Sequence, residues 1–418
     1  MKRSASYTKT PIGLLPSDWR LCKLGKVIER VGRPVQVEPS LSYVQIGIRS
    51  HGKGIFHKDP VKGLELGSKS VFWIEPNRLV LNIVFGWEQA VARTTDKEIG
   101  TIGSHRFPMY RPKVDDTRTP LVDIDYVLAY LLTKRGTEIL QESSPGGAGR
   151  NKTLGQELFL SHYIPIPPLS EQRRIAAILA AIDRVIVGKK RLLEAKRTRK
   201  RALLQQLFGP KSGIRLPKFS GSWTSTTLQK LGHFQKGHGI TNSQCLLGDC
   251  PCVKYGDIYV CYDTHFSKAR SHTTEPVFRQ SLCVQAGSLL FTCSGEEPLD
   301  IGKCVVYTGP EPIAVGGDIL VFHSYKHDSL FLAYQQQTSP LIRQKASLAK
   351  GQSIFHIHLP EIQGLQVSVP PTVKEERAIA QTLLAADREI DGHVREIEAW
   401  KEKRKALSQL LLSGKVRV

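Results

Sequence analysis

Apolar residues recur at helical spacing along two long stretches of the chain, and the rest of the sequence is arranged around them. In the first, Ile175, Leu179, Ile182, Ile186, Leu193, Leu203 and Leu207 form one stripe; in the second, Ile379, Leu383, Ile390, Ile397, Leu407 and Leu411 form another. Spacings of three, four and seven, with one of ten before Leu203 and one before Leu407, put each set along one side of an α-helix. The two stretches are copies. At an offset of 204 positions, Ile175, Ala176, Leu179, Asp183, Arg184, Ile186, Gly188, Glu194, Ala202, Leu203 and Leu207 recur as Ile379, Ala380, Leu383, Asp387, Arg388, Ile390, Gly392, Glu398, Ala406, Leu407 and Leu411. A period this long is no solenoid repeat; it marks a duplicated half.

The ends of both helices are signalled. Ser170 is an N-cap candidate, with Glu171 in the first turn where a negative charge complements the helix dipole. Thr372 and Glu375 have capping-box spacing, and Gly209-Pro210 and Ser413-Gly414 are the stops. A helix from Glu171 to Phe208 would be a rod of ~57 Å. A rod with one apolar stripe is not stable alone, so the two are expected to fold back antiparallel and bury each other's stripes. Lys196, Arg199 and Lys200 interrupt the first stripe, which predicts a loose coiled coil rather than a strict heptad zipper. Gly188 and Gly392 share one mid-helix position, where glycine costs ~1 kcal/mol against alanine; a close backbone crossing or a kink is one explanation, a tolerated accident the other.

Before each helix lies a region of short β-rich runs punctuated by Gly and Pro, such as 43–48, 79–85, 288–293, 303–307 and 319–323. Residues 1–13 read as a leader. Leu15-Pro16, Trp19 and Leu24-Gly25 open the first region, as Leu216-Pro217, Trp223 and Leu231-Gly232 open the second. Each also holds a late helical candidate, at 123–140 and 329–349. The expected fold class is α+β: two β-rich domains separated by a pair of long antiparallel coiled-coil-like helices, pseudo-two-fold through internal duplication. The boundaries fall at 1–166, 167–210, 211–369 and 370–418.

Charge adds a partner to this picture. Lys and Arg number 59 against 38 Asp and Glu, a formal +21 over 418 residues. That excess favours a polyanion, nucleic acid first, over a basic protein that merely stays soluble. The first helical stretch carries 11 basic and 3 acidic side chains between Glu171 and Phe208, whereas 371–413 carries 8 of each. Helix one is therefore expected to face DNA and helix two protein, a solvated charged face being the other reading. No apolar run approaches a membrane span, and no apolar stretch follows Lys2 and Arg3 as in a secretory signal. Eight cysteines without framework spacing read as free thiols of a cytoplasmic protein.

Catalytic signatures are missing. The sequence has no Walker A motif, no Gly-x-Gly-x-x-Gly, no nucleophile elbow, no His-Glu-x-x-His and no Asn/Asp-Pro-Pro-aromatic tetrapeptide. Cys245, Cys250, Cys252 and Cys261 cluster near His265 but lack paired Cys-x-x-Cys knuckles for zinc. His356 and His358 fall on one strand face with no third ligand in view, so no metal is expected. Gly146–Gly149 lacks the Lys-Ser/Thr of a nucleotide loop, and Arg150, Asn151 and Lys152 beside it suit DNA phosphate. The remaining candidates for DNA contact are Arg30, Arg33, Arg49, His51, Lys53, Arg93, His105 and Arg106 in the first region. In the second they are Lys236, His238, Lys254, Tyr255, Lys268, Arg270, His272, Lys350 and Gln352. Arginine reads guanine and Asn or Gln reads adenine, while lysine mostly holds phosphate.

The signature Pro-Pro-x-x-Glu-Gln-x-x-Ile-Ala at 167–176, its weaker echo at 370–380 and the two Leu-Pro…Trp…Leu-Gly openings resemble the specificity subunits of type I restriction–modification systems. The second copy departs from the pattern, with Thr372-Val373-Lys374-Glu375-Glu376 where the first has Leu-Ser-Glu-Gln. The resemblance implies a non-catalytic subunit whose two target recognition domains each read half of a bipartite, asymmetric double-stranded DNA site. It implies that the repeated helices set the spacer and dock two methyltransferase subunits, with restriction/translocase subunits completing the complex. S-adenosylmethionine, ATP and Mg would sit on those partners and no cofactor on this chain. A stand-alone nucleic-acid-binding regulator on the same scaffold is the alternative, and an enzyme with an unrecognised site at the Cys245–Cys261 cluster a third class.

Overall fold

The computed structural model describes residues 6–146, 152–208, 215–245 and 248–418. The chain falls into two compact units, Met1–Lys190 with Glu396–Val418, and Arg191–Arg395. Each unit therefore holds one β-rich region and a stretch of both long helices.

In the first unit, Val91–Arg93, Leu79–Leu81, Met109–Pro112 and Ile28–Val31 pair in that order as an antiparallel sheet. Leu79, Val80 and Leu81 are all fully buried, as a central strand covered on both faces requires. A second sheet runs Ile102–Ser104, Val71–Trp73, Arg33–Pro34. Arg20–Lys23 pairs with Tyr163–Ile166, which closes the region by joining its start to its end. The second unit repeats this plan with almost no shared sequence. Cys304–Tyr307, Leu289–Thr292, Ile319–Ser324 and Gly232–Lys236 follow the same order, and Thr224–Thr227 pairs with Gln366–Val369. The fold is α+β in both units.

The long helices run unbroken over Leu169–Phe208 and Val373–Leu412. In the first unit Asp183 bonds Arg404 at 3.0 Å and Lys189 bonds Glu396 at 2.6 Å. In the second, Lys196 bonds Glu389 and Lys200 bonds Asp387, both at 2.5 Å. Numbers rise along one helix as they fall along the other, so the pairing is antiparallel in each unit. Ile175, Leu179, Ile182, Ile186, Leu193, Leu207, Ile379, Leu383, Ile397 and Leu411 are buried, whereas Leu203, Ile390 and Leu407 are only half-buried. Leu204 takes the inward position expected of Leu203. Lys196 and Lys200, which interrupt the stripe, are placed across the seam as ion pairs.

The first turn of each long helix is fastened to its unit twice. Glu171 accepts the indole N–H of Trp19 at 3.1 Å and the guanidinium of Arg417 at 2.6 Å. Glu375, 204 positions on, accepts from Trp223 at 3.3 Å and Arg215 at 2.7 Å. The neighbouring Gln172 and Glu376 accept the backbone N–H of Asp123 and Asp328, each at 2.8 Å. Those aspartates in turn N-cap the short helices Ile124–Leu131 and Ser329–Gln335.

Several expectations need correction. The supposed leader forms a hairpin, Tyr7–Thr10 with Gly13–Pro16. The first long helix begins at Leu169, so Ser170 lies inside its first turn and is not the cap. At the second helix only half of the capping box forms: the Glu375 N–H reaches Thr372 Oγ1 at 3.4 Å, while the Glu375 carboxylate is spent on Arg215 and Trp223. Both late helical candidates are broken in two. In the first, the chain turns before Lys134–Glu142, and a Cβ at Gly136 would come within 2.3 Å of the Tyr130 carbonyl. In the second, Pro340 has no N–H to carry the helix through, and Ser339–Leu348 starts afresh. The counterpart of Leu24 is Leu228 rather than Leu231; both are fully buried and open a short helical turn. A Cβ at Gly188 or Gly392 would meet nothing within 4 Å, so no close crossing explains either glycine. The Gly209-Pro210 stop lies outside the described residues. Among the described residues no helix is long and apolar enough to cross a membrane.

Candidate nucleic-acid interface

In the first unit the strands Ile46–Ile48 and Ile55–His57 pair as a hairpin whose loop carries Arg49, His51 and Lys53. The loop is pinned rather than loose. The N–H of His51 donates to the Glu88 carbonyl at 2.7 Å, and that of Gly52 to the Gln89 carbonyl at 3.0 Å. Arg49 lies over the Phe56 ring at 4.7 Å. Beside the loop opens a cleft of about 480 Å³ that takes in Arg49, His51, Lys53, Asn82, Glu88 and Phe107. Phe107 is also a wall of a second cleft, of about 320 Å³, that takes in Arg30 and His105. Arg106 is exposed beside His105. Arg33 lies over Trp73 at 5.9 Å, and Lys152 over Trp87 at 5.3 Å.

Arg93 does not join this group. It pairs with Asp125 at 3.0 Å, donates to Asn77 and lines a different cleft with Arg173 at the start of the long helix. Arg150, Asn151 and the Gly146–Gly149 run lie outside the described residues, apart from Gly146 itself.

The second unit carries its candidates at the same topological place. Cys250–Val253 pairs antiparallel with Ser271–Thr273 and lies parallel to Ile313–Val315. In the first unit the residue before the hairpin, Gln45, bridges Ile102 in the same parallel sense. The segment between the two paired strands is six residues long in the first unit and much longer in the second, where it holds Lys254, Tyr255, Lys268 and Arg270. Lys268 and Arg270 are exposed there, as is His272 on the following strand. Tyr255 is half-buried against the Val253–Tyr307 core, a packing position. Lys236 and His238 are exposed at and just past the end of Gly232–Lys236. Lys350 is tied to Glu361 at 2.9 Å, and Gln352 is exposed in the turn beyond it.

Seven cations of the first long helix have no carboxylate at ion-pair distance among the described residues. They are Arg173, Arg174, Arg184 and Lys190 in the first unit, and Arg191, Arg199 and Arg201 in the second. Sequence reasoning missed Asn82, Glu88 and Phe107, because their loops gave no charge or motif signal. It also missed the Trp–Glu clamps, although Trp19/Trp223 and Glu171/Glu375 stand at the repeat offset of 204 and could have been found there.

The cysteines and histidines are not gathered into a metal centre: among the described residues no group of three or more His, Cys, Asp or Glu is placed to hold one. Cys245 and Cys252 are buried against Ala314, Cys250 donates to Glu275 at 3.0 Å, and Cys261 is exposed. Burial pushes the Cys252 thiol up to about 12, which keeps it protonated. His356 lies 3.1 Å from the Ser294 hydroxyl, with its ring 6.5 Å from that of His358.

Comparison with known proteins places this architecture. Residues 96–196 match the family model described as type I restriction modification DNA specificity domain. The type I restriction enzyme MjaVIII specificity subunit of Methanocaldococcus jannaschii is 24% identical over 63% of this chain, and the match spans 64% of that relative. The putative MjaX specificity subunit of the same organism is 22% identical over 100% of this chain and 98% of its own length. Among solved structures, one reported for complex assembly and conformational transition of the type I R-M system aligns with a TM-score of 0.61 at 17% identity, covering 96% of this chain and 99% of its own. The S subunit from M. genitalium aligns with a TM-score of 0.57 at 14% identity, covering 94% and 96%. With its paired strand orders and its signature after each β-rich region, the chain shares the fold of these structures and is similar, along its whole length, to specificity subunits of type I restriction–modification systems.

Proposed function

We propose that this chain is the non-catalytic DNA-recognition subunit of a type I restriction–modification complex, with each β-rich unit reading one half of a bipartite, asymmetric site. The observation that carries this reading is the repetition of one strand order in two units, each presenting basic loops at the same topological place on unlike sequence. Such an arrangement suits two half-sites that differ in sequence. In this reading residues 1–166 and 211–369 are the target recognition domains, and 167–210 and 370–418 the spacer helices. The unpaired cations of the first long helix meet backbone phosphate between the half-sites. Two methyltransferase subunits dock on the repeated framework and carry S-adenosylmethionine. Restriction/translocase subunits carry ATP and Mg, and the complex works on double-stranded DNA in the cytoplasm.

The test is base-resolution methylation mapping of the assembled complex. The wild type is expected to give a bipartite motif with a fixed non-specific spacer. Insertion of one helical turn, about four residues, after Phe208 is expected to lengthen the spacer and leave both half-sites unchanged. A single undivided motif would refute the two-headed reading, and an unchanged spacer would refute the helix as its ruler.

A further inference from the structure

Basic loops hold a duplex in place, but phosphate contacts do not choose a sequence. We propose that the 480 Å³ cleft of the first unit is where that unit reads base edges, with Asn82 and Glu88 as specificity-determining residues beside Arg49. This rests on the reading of the chain as a DNA-recognition subunit and names the groups that do the discriminating.

The first ground is a carboxylate where a phosphate-binding surface would have none. Glu88 lines the cleft together with Arg49, His51, Lys53 and Lys58, yet it makes no ion pair among the described residues. Its one side-chain partner there is the Ser50 hydroxyl, which donates to Oε2 at 2.8 Å. A carboxylate repels phosphate, but it accepts a hydrogen bond from the N4 amino group of cytosine in the major groove. Glu88 therefore offers an acceptor for a base edge beside cations that can hold phosphate.

The second ground is a pre-set amide. Asn82 Oδ1 accepts the N–H of Val84 at 3.1 Å, which fixes the plane of the side chain. That leaves one Oδ1 lone pair and the whole NH2 group for a ligand. Those are the groups that pair with N6 and N7 of adenine.

The third ground is rigidity bought at a backbone cost. His51 and Gln89 both adopt positive φ, 61° and 58°, although neither is glycine. They sit on the two segments that the His51–Glu88 and Gly52–Gln89 backbone bonds hold together. Side chains other than glycine tolerate that region only where the surroundings enforce it, and such residues collect at ligand sites. Arg49 is likewise held on the Phe56 ring, and the ring itself fits only because residue 47 is glycine: a Cβ there would fall 2.3 Å from it. One Nη of the stacked guanidinium donates to the Ile55 carbonyl at 3.4 Å, which leaves the other N–H groups for guanine.

The experiment uses the full chain with the methyltransferase subunits that purify with it, and maps methylated sites for the wild type and for Asn82→Asp, Glu88→Gln and Lys53→Ala. Asn82→Asp is isosteric and still accepts the Val84 N–H; it is expected to shift one position of one half-site from adenine toward cytosine. Glu88→Gln is expected to lower the preference at another position of that half-site by about 5- to 150-fold, the discrimination of one good side-chain–base contact. The other half-site and the spacer stay as in the wild type. Lys53→Ala weakens methylation evenly and changes no position. If both Asn82→Asp and Glu88→Gln leave the motif unchanged, or lower methylation evenly without changing any position, the cleft is not the reading site, although the subunit's role stands. A wild-type complex without a bipartite motif overturns the role itself.

Discussion

The ion pairs Lys200–Asp387 and Arg404–Asp183 occupy one structural position, 204 residues apart with the helices exchanged, but they differ in burial. The Lys200 and Asp387 side chains are each 10% exposed at 2.5 Å, and the Tyr334 hydroxyl donates to the same carboxylate at 2.5 Å. Arg404 and Asp183 are 25% and 50% exposed. Burial by itself pulls the Lys200 ammonium down, but Asp263 and Asp387 outweigh it and hold its pKa above the ordinary value. Asp387→Asn keeps the shape and the acceptor for Tyr334 while leaving Lys200 with only the exposed Asp263. Breaking a buried pair costs ~3–5 kcal/mol; with Asp263 still in reach, ~2–3 kcal/mol is expected. Asp183→Asn breaks a wetter pair and is expected to cost ~0.5–1 kcal/mol. Since a two-unit chain has no single unfolding free energy, the assay is native-state hydrogen exchange read helix by helix. Asp387→Asn should cut amide protection around Ile379–Ile390 by about 30- to 150-fold, with Asp183→Asn costing several-fold at most around Lys401–Leu411. A double-mutant cycle with Lys200→Met isolates the pair. Equal losses of protection in the two variants would refute the argument from burial.

Three further outcomes follow from the same geometry. Gly188→Ala and Gly392→Ala, with open space at both positions, should each raise amide protection in its stretch of helix, by up to ~1 kcal/mol of helix propensity; a fall at either would reveal a contact that the glycine protects. Glu375→Gln removes the charge that holds Arg215, beside the Trp223 indole N–H. It should cost ~2 kcal/mol, the worth of a hydrogen bond to a charged group, visible as earlier unfolding followed by Trp223 fluorescence. Lys345 is buried and donates to the Gly302 and Gln336 carbonyls, and burial lowers its pKa to about 8. Between that value and the ordinary 10.5 the unfolded chain binds the extra proton, so its contribution to stability rises with pH through this window and is lost as pH falls through about 8. Wild type should therefore gain on Lys345→Met between pH 8 and pH 10, by at most ~1.4 kcal/mol per unit; a constant gap would show that the folded chain keeps the proton as the unfolded chain does, with no lowering of the pKa.

The long helices were legible because their information is local and periodic: a stripe, a cap and a stop lie within one stretch of chain. Their antiparallel pairing followed from the need to bury that stripe. What remained hidden depended on distant partners. Nothing within a few residues of Glu171 says that its carboxylate will receive Arg417 from the far end of the chain. The break at Thr133 was masked because Ile139 and Leu140 continue the apolar spacing, while the reason for the break is that Gly136 packs on the Tyr130 carbonyl. Leu203 and Leu204 are indistinguishable by composition, and a small rotation of the helix decides which one is buried. Among the loop candidates, charge alone could not separate Arg93, already paired with Asp125, from Arg49, whose one side-chain hydrogen bond among the described residues goes to the Ile55 carbonyl. It also gave no reason to notice an uncharged Asn82.

The repeat explains how two such different loop surfaces can share one protein. Contacts that recur between the halves, Trp19–Glu171 with Trp223–Glu375 at an offset of 204 and Asp123–Gln172 with Asp328–Glu376 one residue out of step at the aspartate, all fasten the β-rich region to the first turn of a long helix. None involves the loops that carry Arg49 or Lys268. Those loops hang between strands whose pairing is set by backbone hydrogen bonds and buried apolar side chains, and both are indifferent to what the loop contains. A long insertion between paired strands costs little, because loop-closure entropy grows only logarithmically with length; the segment between Val253 and Ser271 exceeds its six-residue counterpart on that account. Substitutions far apart and without shared partners act additively, so changes at Asn82 or Glu88 leave the Glu171 clamp untouched. On the proposed reading, the half-site of one unit can thus change without disturbing these clamps.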